Sequence, residues 1–497
     1  MASMSTTAAL GWSDGRRRAI SATRAARATA AAVLTAAAAF VTPAQGHGPG
    51  HDDPAGTIYV PPPYVAPRPM APGQAHVAPG HAHEVWLVDQ SNSAGRTWGG
   101  AIYIYDPAQL RARAASAVPE KIDLGGATSD LCLAETGARP VRPHMITFSP
   151  GAESHAIVAF VASGHVVFFD AATRRPLRCF RTEVGAGGAR QAHAIWPTPD
   201  GRHLLVANQN GKKFERIRTD YPAGVFVQEP MATIDLANCT TPNGQPCQAP
   251  GLRPDNAPIC PFVPAGGRIA FVSLRGGGML VLDATSTPMS VVAEYDSATI
   301  PRDGCGFVES AGWVYGNGGG GNAANLDGWF IYRVRADPAL YSASNAPNQP
   351  PREVIDRDER EFRDAHGVAR TRNDKYVWFF DRNANVVEIF RSDSGRKVGT
   401  VNIADPAVSL DPTPDLVGEA PDGRFMYVSL RGPAPLSGDP HASTGSTPGL
   451  LVLEVLQDGR ALAVRGLARI SNIDGNGVER ADGHGIRVRR LGAALHQ

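Results

Sequence analysis

His193-Ala-Ile-Trp-Pro-Thr-Pro-Asp-Gly-Arg-His-Leu-Leu-Val-Ala-Asn208 is a phrase this chain says more than once. A second copy runs His366-Gly-Val-Ala-Arg-Thr-Arg-Asn-Asp-Lys-Tyr-Val-Trp-Phe-Phe-Asp381, and a third Asp415-Leu-Val-Gly-Glu-Ala-Pro-Asp-Gly-Arg-Phe-Met-Tyr-Val-Ser-Leu430. Each reads as a short strand, a tight turn and an apolar strand. Self-similarity at a spacing of roughly 45 to 60 residues is the mark of a repeat architecture.

Working outward, strand patterns fill the chain from His83 onward. Pro143–Pro150, Ala156–Val161, His165–Asp170 and Leu177–Phe180 make four strands in succession, the content of one propeller blade. Further sets follow at Arg190–Leu236, Ile259–Tyr295, Gly304–Val334, Ala365–Ile403 and Asp415–Ile470. The first set (Glu84–Asp89, Ala101–Asp106, Lys121–Leu124) lacks an opening strand, and Gly483-His-Gly-Ile-Arg-Val-Arg489 is an opening strand with nothing after it. Together they complete a seventh blade. The expectation is an all-β, seven-bladed propeller over residues 83–490, with the terminal strands sharing one blade and a tail at 491–497. The 54 Gly and 41 Pro among 497 residues suit many strands and turns.

The flanks read differently. Arg16, Arg17, Arg18, Arg24 and Arg27 precede an Ala-rich apolar run ending near Thr42-Pro-Ala44, the pattern of a secretory signal peptide over residues 1–44. The Arg17-Arg18 pair also admits a twin-arginine route. Residues 45–82 are rich in Pro, Gly and His and short of large aliphatics, so a disordered linker is expected, with His47, His51, His76 and His81 as loose metal binders. Removing 1–44 takes the formal charge from +1 to about −3, which excludes an electrostatic footprint for nucleic acid. The mature chain has no span-length apolar run. An exported protein, periplasmic or secreted, is expected, and its six Cys suggest disulfides. Six Cys allow fifteen pairings. Cys239 and Cys247 flank a turn-rich loop, Cys260 and Cys305 hold equivalent places in successive repeats, and Cys132 and Cys179 remain.

In their Pro-Asp-Gly-Arg phrases, residues 83–490 resemble the YVTN-repeat propellers, related in style to the cytochrome d1-like and lactonase-like groups. The blades at His193, His366 and Asp415 match best, and those at Cys260 and Cys305 depart. The resemblance implies the propeller fold and export. It selects no reaction, because unrelated functions share such folds.

In a propeller the inner strands begin, and the second strands end, around one mouth of the central channel. The inner-strand starts read His144, His193, Cys260, Cys305, His366, Asp415 and His484. Four imidazoles and a carboxylate aimed at one axis are the ingredients of a transition-metal site for copper, iron or zinc. They also suit metal-free acid–base work or plain channel lining. Asp364 and Asp482, two residues before His366 and His484, are expected to orient their rings. The second-strand ends include Asn208, Arg275, Asn317, Arg382 and Arg431. These point to a small anion. No GxGxxG opens a helix and no CxxCH occurs, so neither a nucleotide cofactor nor covalent haem is expected. GxSxG and HExxH are absent. Ser443, Ser446, His441 and Asp439 are triad residue types crowded into one loop, too close together to act as a triad.

The leading expectation is an exported propeller binding a metal ion or small anion at this mouth. The alternatives are an enzyme using the same mouth, as a metal-assisted oxidoreductase or lactonase-like hydrolase, and a protein-interaction platform presenting loops Ser342–Arg352 and Pro433–Pro448.

Overall fold

The computed structural model describes residues 60–69, 82–185, 188–302, 304–320, 328–359, 362–436 and 444–492. The expected signal, most of the 45–82 stretch and the loop carrying His441 lie outside them. Seven antiparallel sheets follow one another in a seven-bladed β-propeller. Six are consecutive units of four strands, one of which carries Ile234–Asp235 as a short fifth strand. Their inner strands are Pro143–Phe148, Ala192–Pro197, Pro258–Phe262, Phe307–Ser310, Ala365–Arg370 and Pro414–Glu419. The seventh is shared by the two ends of the chain. Gly483–Arg490 is its inner strand, paired antiparallel to His83–Asp89, which is followed by Ala101–Tyr105 and Glu120–Asp123. This closure ties the two ends of the chain together within one blade.

The recurring phrase folds the same way wherever it occurs. In the first copy Thr198 N donates to His203 O at 2.8 Å, Asp200 Oδ1 accepts from Arg202 N, and Gly201 sits at φ +68°. Gly423 repeats this at φ +70°. In the middle copy Asp374 occupies the left-handed position at φ +57°, with Asn373 in the capping role. Asp and Asn tolerate this region better than other side chains, so the turn survives without its glycine.

Each blade buries both faces against its neighbours. Trp86, Ile102 and Ile104 of the shared blade pack on Ile146, Phe148 and Val158 of the next, and Trp378 and Phe380 pack on Met426 and Val428. Burying one such side chain contributes about 1.5–3 kcal/mol, so these interfaces hold the ring together.

Two helices not expected from the sequence, Pro107–Arg113 and Ala127–Thr136, lie within and after the shared blade. The first is set by Pro107 after an Asp106 cap, and the second stops at Gly137 in the left-handed conformation. Both are too short to leave a clear period in the sequence. Arg68–Pro69, inside the stretch read as linker, adds a parallel fifth strand against Glu120–Lys121. Three disulfides, Cys132–Cys179, Cys239–Cys247 and Cys260–Cys305, use all six cysteines. Among the described residues no helix is long and apolar enough to cross a membrane.

Candidate functional site

A β-bulge interrupts six of the seven inner strands at the residue that faces the axis. The register shifts fall between Pro143 and Met145, between Ala192 and Ala194 opposite Asn208, between Pro258 and Pro261, between Ala365 and Val368, between Pro414 and Val417, and between Gly483 and Ile486. A bulge bends the strand and re-aims one side chain. Here it turns His144, His193, Cys260, His366, Asp415 and His484 toward their counterparts in other blades.

Close approach is enabled by a glycine after three of the axis residues. A Cβ on Gly306 would strike His366 O, one on Gly367 would strike Asp415 O, and one on Gly485 would strike His144 O. Second-strand side chains then tie three of the blades to the next. Ser273 Oγ donates to Gly304 O (2.7 Å), Asn317 Nδ2 to His366 O (2.6 Å) and Ser429 Oγ to His484 O (2.6 Å). Sequence reasoning missed the glycines and serines, although the His-Gly pairs at 366–367 and 484–485 were a readable signal.

The rings form a continuous chain. His193 and His144 have centroids 4.7 Å apart, His144 stacks on His484 at 3.7 Å, and His484 meets His366 edge-on at 5.6 Å. Asp415 sits among them, with Oδ1 2.6 Å from His366 Nδ1 and Oδ2 3.5 Å from His484 Nε2. One ligand atom from each of His366, Asp415 and His484 lies within 4.8 Å of the other two.

The hydrogen bonds fix three tautomers. Gln90 Nε2 donates to Asp482 Oδ2 at 2.7 Å, so its Oε1 is turned to accept from His144 Nδ1 at 2.9 Å. His193 Nδ1 faces Ile259 O at 3.0 Å and His484 Nδ1 faces His144 O at 3.2 Å, and a carbonyl can only accept. Each Nδ1 therefore carries a proton, which leaves Nε2 as the atom that offers a lone pair when the ring is neutral. His144 Nε2 is buried with no hydrogen-bond partner among the described residues. Burial, reinforced by His484 and His193, pushes His144 well below the usual imidazole range. Burial does the same to His484, with Arg431 adding to it against the pull of Asp415. Both rings are neutral at physiological pH. Burial alone would raise Asp415, but His484, His366, Arg431 and Arg382 outweigh it and hold the carboxyl well below its ordinary value.

Asp364 and Asp482 do not orient the histidines two residues on, as the sequence suggested. Asp364 binds the Arg382 guanidinium at 2.8 and 3.1 Å, and Asp482 binds that of Arg431 at 2.7 and 2.9 Å. The same guanidiniums reach Asp415 at 3.5 and 3.3 Å. Arg275 is not brought to this cluster. It is 39% exposed and pairs with Asp255 at 2.6 Å. Asn208 is buried in its own blade, bonded to Glu215 Oε1 and to the Glu183 carbonyl. Cys260 and Cys305 spend their thiols on each other, so the group they form with His193 offers one imidazole and no thiolate.

No protein-family model matches the chain, and no curated protein matches it. Among solved structures it is similar to a protein of Sulfolobus tokodaii named as a hypothetical selenium-binding protein (TM-score 0.57, 10% identity, 84% of this chain and 96% of that one). It is also similar to two proteins named as candidate 6-phosphogluconolactonases. One is from Bacteroides uniformis (TM-score 0.53, 14% identity, 82% and 100%) and the other from Bacteroides fragilis (TM-score 0.52, 12% identity, 83% and 99%). At such identities the likeness establishes the propeller fold, and the chemistry of the mouth must be argued from its own residues.

Proposed function

We propose that this is an exported propeller that holds a transition metal ion at the His-lined mouth of its channel, with His366, Asp415 and His484 as the central ligands and His144 and His193 beside them. The observation that carries this reading is the pattern of lone pairs. His484 Nε2 and Asp415 Oδ2 are 3.5 Å apart, and both are acceptors when the imidazole is neutral. Two acceptors facing each other in a buried site are stabilised by a cation between them. Imidazole with one carboxylate suits copper, iron or zinc.

Formal charge supports the same reading. Arg382 and Arg431 are matched by Asp364 and Asp482, so Asp415 remains as one net negative charge. The matching also weighs against the small-anion alternative, because the guanidiniums that would bind the anion are engaged by carboxylates. The three disulfides support export to an oxidising compartment.

Elemental analysis of protein purified without an affinity tag tests this. The expected result is about one metal ion per chain, retained when residues 45–82 are deleted and lost in the His366→Ala, His484→Ala double variant. Absence of metal in every preparation, together with no binding of added copper or zinc, would overturn it.

The 2.6 Å contact between His366 and Asp415 supports one second reading, a metal-free acid–base pair serving a hydrolase. It predicts lactone hydrolysis that survives chelation and falls in His366→Asn.

A further inference from the structure

The opposite end of the channel carries different chemistry. Counting two to four residues downstream from the axis positions reaches Trp196, Phe262, Phe307, Arg370, Glu419 and Arg487 in their respective inner strands. These side chains line one cavity of about 820 Å³. Arg487 lies three residues beyond His484, roughly 10 Å along the strand. The cavity is therefore distinct from the histidine mouth.

One wall is aromatic. Trp196 and Phe262 have ring centroids 5.0 Å apart, and Phe262 stacks on Phe307 at 6.0 Å with 28° between planes. Apolar side chains of Val368 and Val417 extend this shelf. The Arg487 guanidinium stands over Trp196, 5.3 Å from the ring centroid. It makes no hydrogen bond or ion pair among the described residues, whereas the nearby Arg490 is held by Glu153 at 2.8 Å. Burial pushes Arg487 below its ordinary value, with Glu153 opposing weakly. A guanidinium desolvated on a tryptophan face and left without a carboxylate is a built anion seat.

The remaining lining narrows the class of anion. Glu153, Glu309 and Glu419 also border the cavity. Glu309 accepts from Ala265 N at 2.6 Å, and Glu419 Oε1 is buried without a hydrogen-bond partner. Four arginines, Arg370, Arg372, Arg487 and Arg490, face these three carboxyl groups, a formal net charge of +1 that suits a monoanion better than a dianion. Together they tolerate a single negative charge seated on Arg487. The volume is that of a site for a small organic molecule.

We propose that this lower end of the channel binds a planar aromatic monocarboxylate, its ring on the Trp196–Phe262–Phe307 shelf and its carboxylate on Arg487. The site is independent of the metal reading at the other mouth.

Isothermal titration of the full chain with 2-naphthoate, its neutral isostere 2-naphthamide and the dianion 2-naphthyl phosphate tests it. The expected result is saturable binding of one 2-naphthoate, with the amide and the phosphate each at least about 10-fold weaker, the size of one charge-assisted contact. Arg487→Met weakens 2-naphthoate by about 10-fold or more and leaves 2-naphthamide unchanged. Trp196→Leu weakens both aryl ligands. His193→Gln, at the other mouth, leaves both unchanged. Should Arg487→Met fail to fold by circular dichroism, the comparison of the three ligands on the unaltered protein decides the matter. No saturable binding of 2-naphthoate up to about 1 mM, equal affinity for acid and amide, tighter binding of the phosphate, or loss of binding in His193→Gln would overturn the proposal.

Discussion

Between the blades of Cys260 and Cys305, neighbouring inner strands are joined at the axis by an S–S bond. Between the blades of Asp415 and His484 the equivalent positions are joined by charge. Asp415 touches two imidazoles and two guanidiniums, and Arg431 bridges on to Asp482. The covalent side has no titratable group left and no lone pair to offer beyond that of His193. The charged side has buried acceptors aimed at one point. Equivalent places in a repeat therefore do not share a role. Two of the seven staple the ring, and the rest hold chemistry whose integrity depends on every partner being present, since a half-broken buried network is worse than none.

The sharpest way to break this comparison is to remove the charged side altogether. A chain ending at Asp482 loses the inner strand of the shared blade and His484 with it. Its ring opens, and the expected outcome is loss of the cooperative melting transition in calorimetry. A truncated chain that melts like the parent would show that the terminal strands are not what closes the ring. The covalent side is tested by the Cys260→Ser, Cys305→Ser double variant. The bond spans 45 residues of sequence, and freeing a loop of that length from the unfolded chain costs about 4 kcal/mol of stability. The denaturant midpoint should fall accordingly, with the metal content unchanged. Equal losses of metal in this variant and in Asp415→Asn would erase the distinction drawn between the two sides. Asp415→Asn itself, measured in chelator-treated protein, should cost about 3 kcal/mol, because Arg382 and Arg431 keep Asp364 and Asp482 but lose the carboxylate between them.

The ring was readable because its signal is periodic. The turn phrase at Pro199-Asp-Gly201 recurs with the same geometry, and the stray opening strand at Gly483 could be matched to the set that lacked one. The axis residues were readable for the same reason. Their partners were not. Asp364 and Asp482 are near His366 and His484 in sequence, but the bulge at each axis residue turns the ring away from its own strand and toward the next blade. A carboxylate two residues upstream faces the second-strand arginine instead. Gln90, which sets the His144 tautomer, lies 54 residues from it and belongs to no repeated motif. Arg487 and Trp196 look like ordinary blade residues in sequence, because what distinguishes Arg487 is that it stands over a tryptophan with no carboxylate in ion-pair contact among the described residues. The two helices after Tyr105 are single-blade insertions with no repeat to average over.

Asn208 offers the finest test of how a mouth position is used. It lies at a second-strand end, as Arg382 and Arg431 do, yet its amide serves Glu215, whose carboxyl is raised to about 7 by burial, against hydrogen bonds from Asn208 and Gln228 that pull the other way. A carboxyl whose pKa is raised on folding binds more protons in the native state than in the unfolded chain between its unfolded value near 4.5 and about 7. Its contribution to stability therefore grows as the pH falls through that window and is absent above it. The slope is about 1.4 kcal/mol per pH unit at its steepest. Glu215→Gln keeps the hydrogen bond to Asn208 and removes the titration. Subtracting its unfolding free energies from those of the parent between pH 5 and 8 should leave a difference that moves in favour of the parent as the pH drops. A difference flat across that range would mean that Glu215 is ionised throughout, and that the blade of Asn208 holds a second buried charge comparable to Asp415.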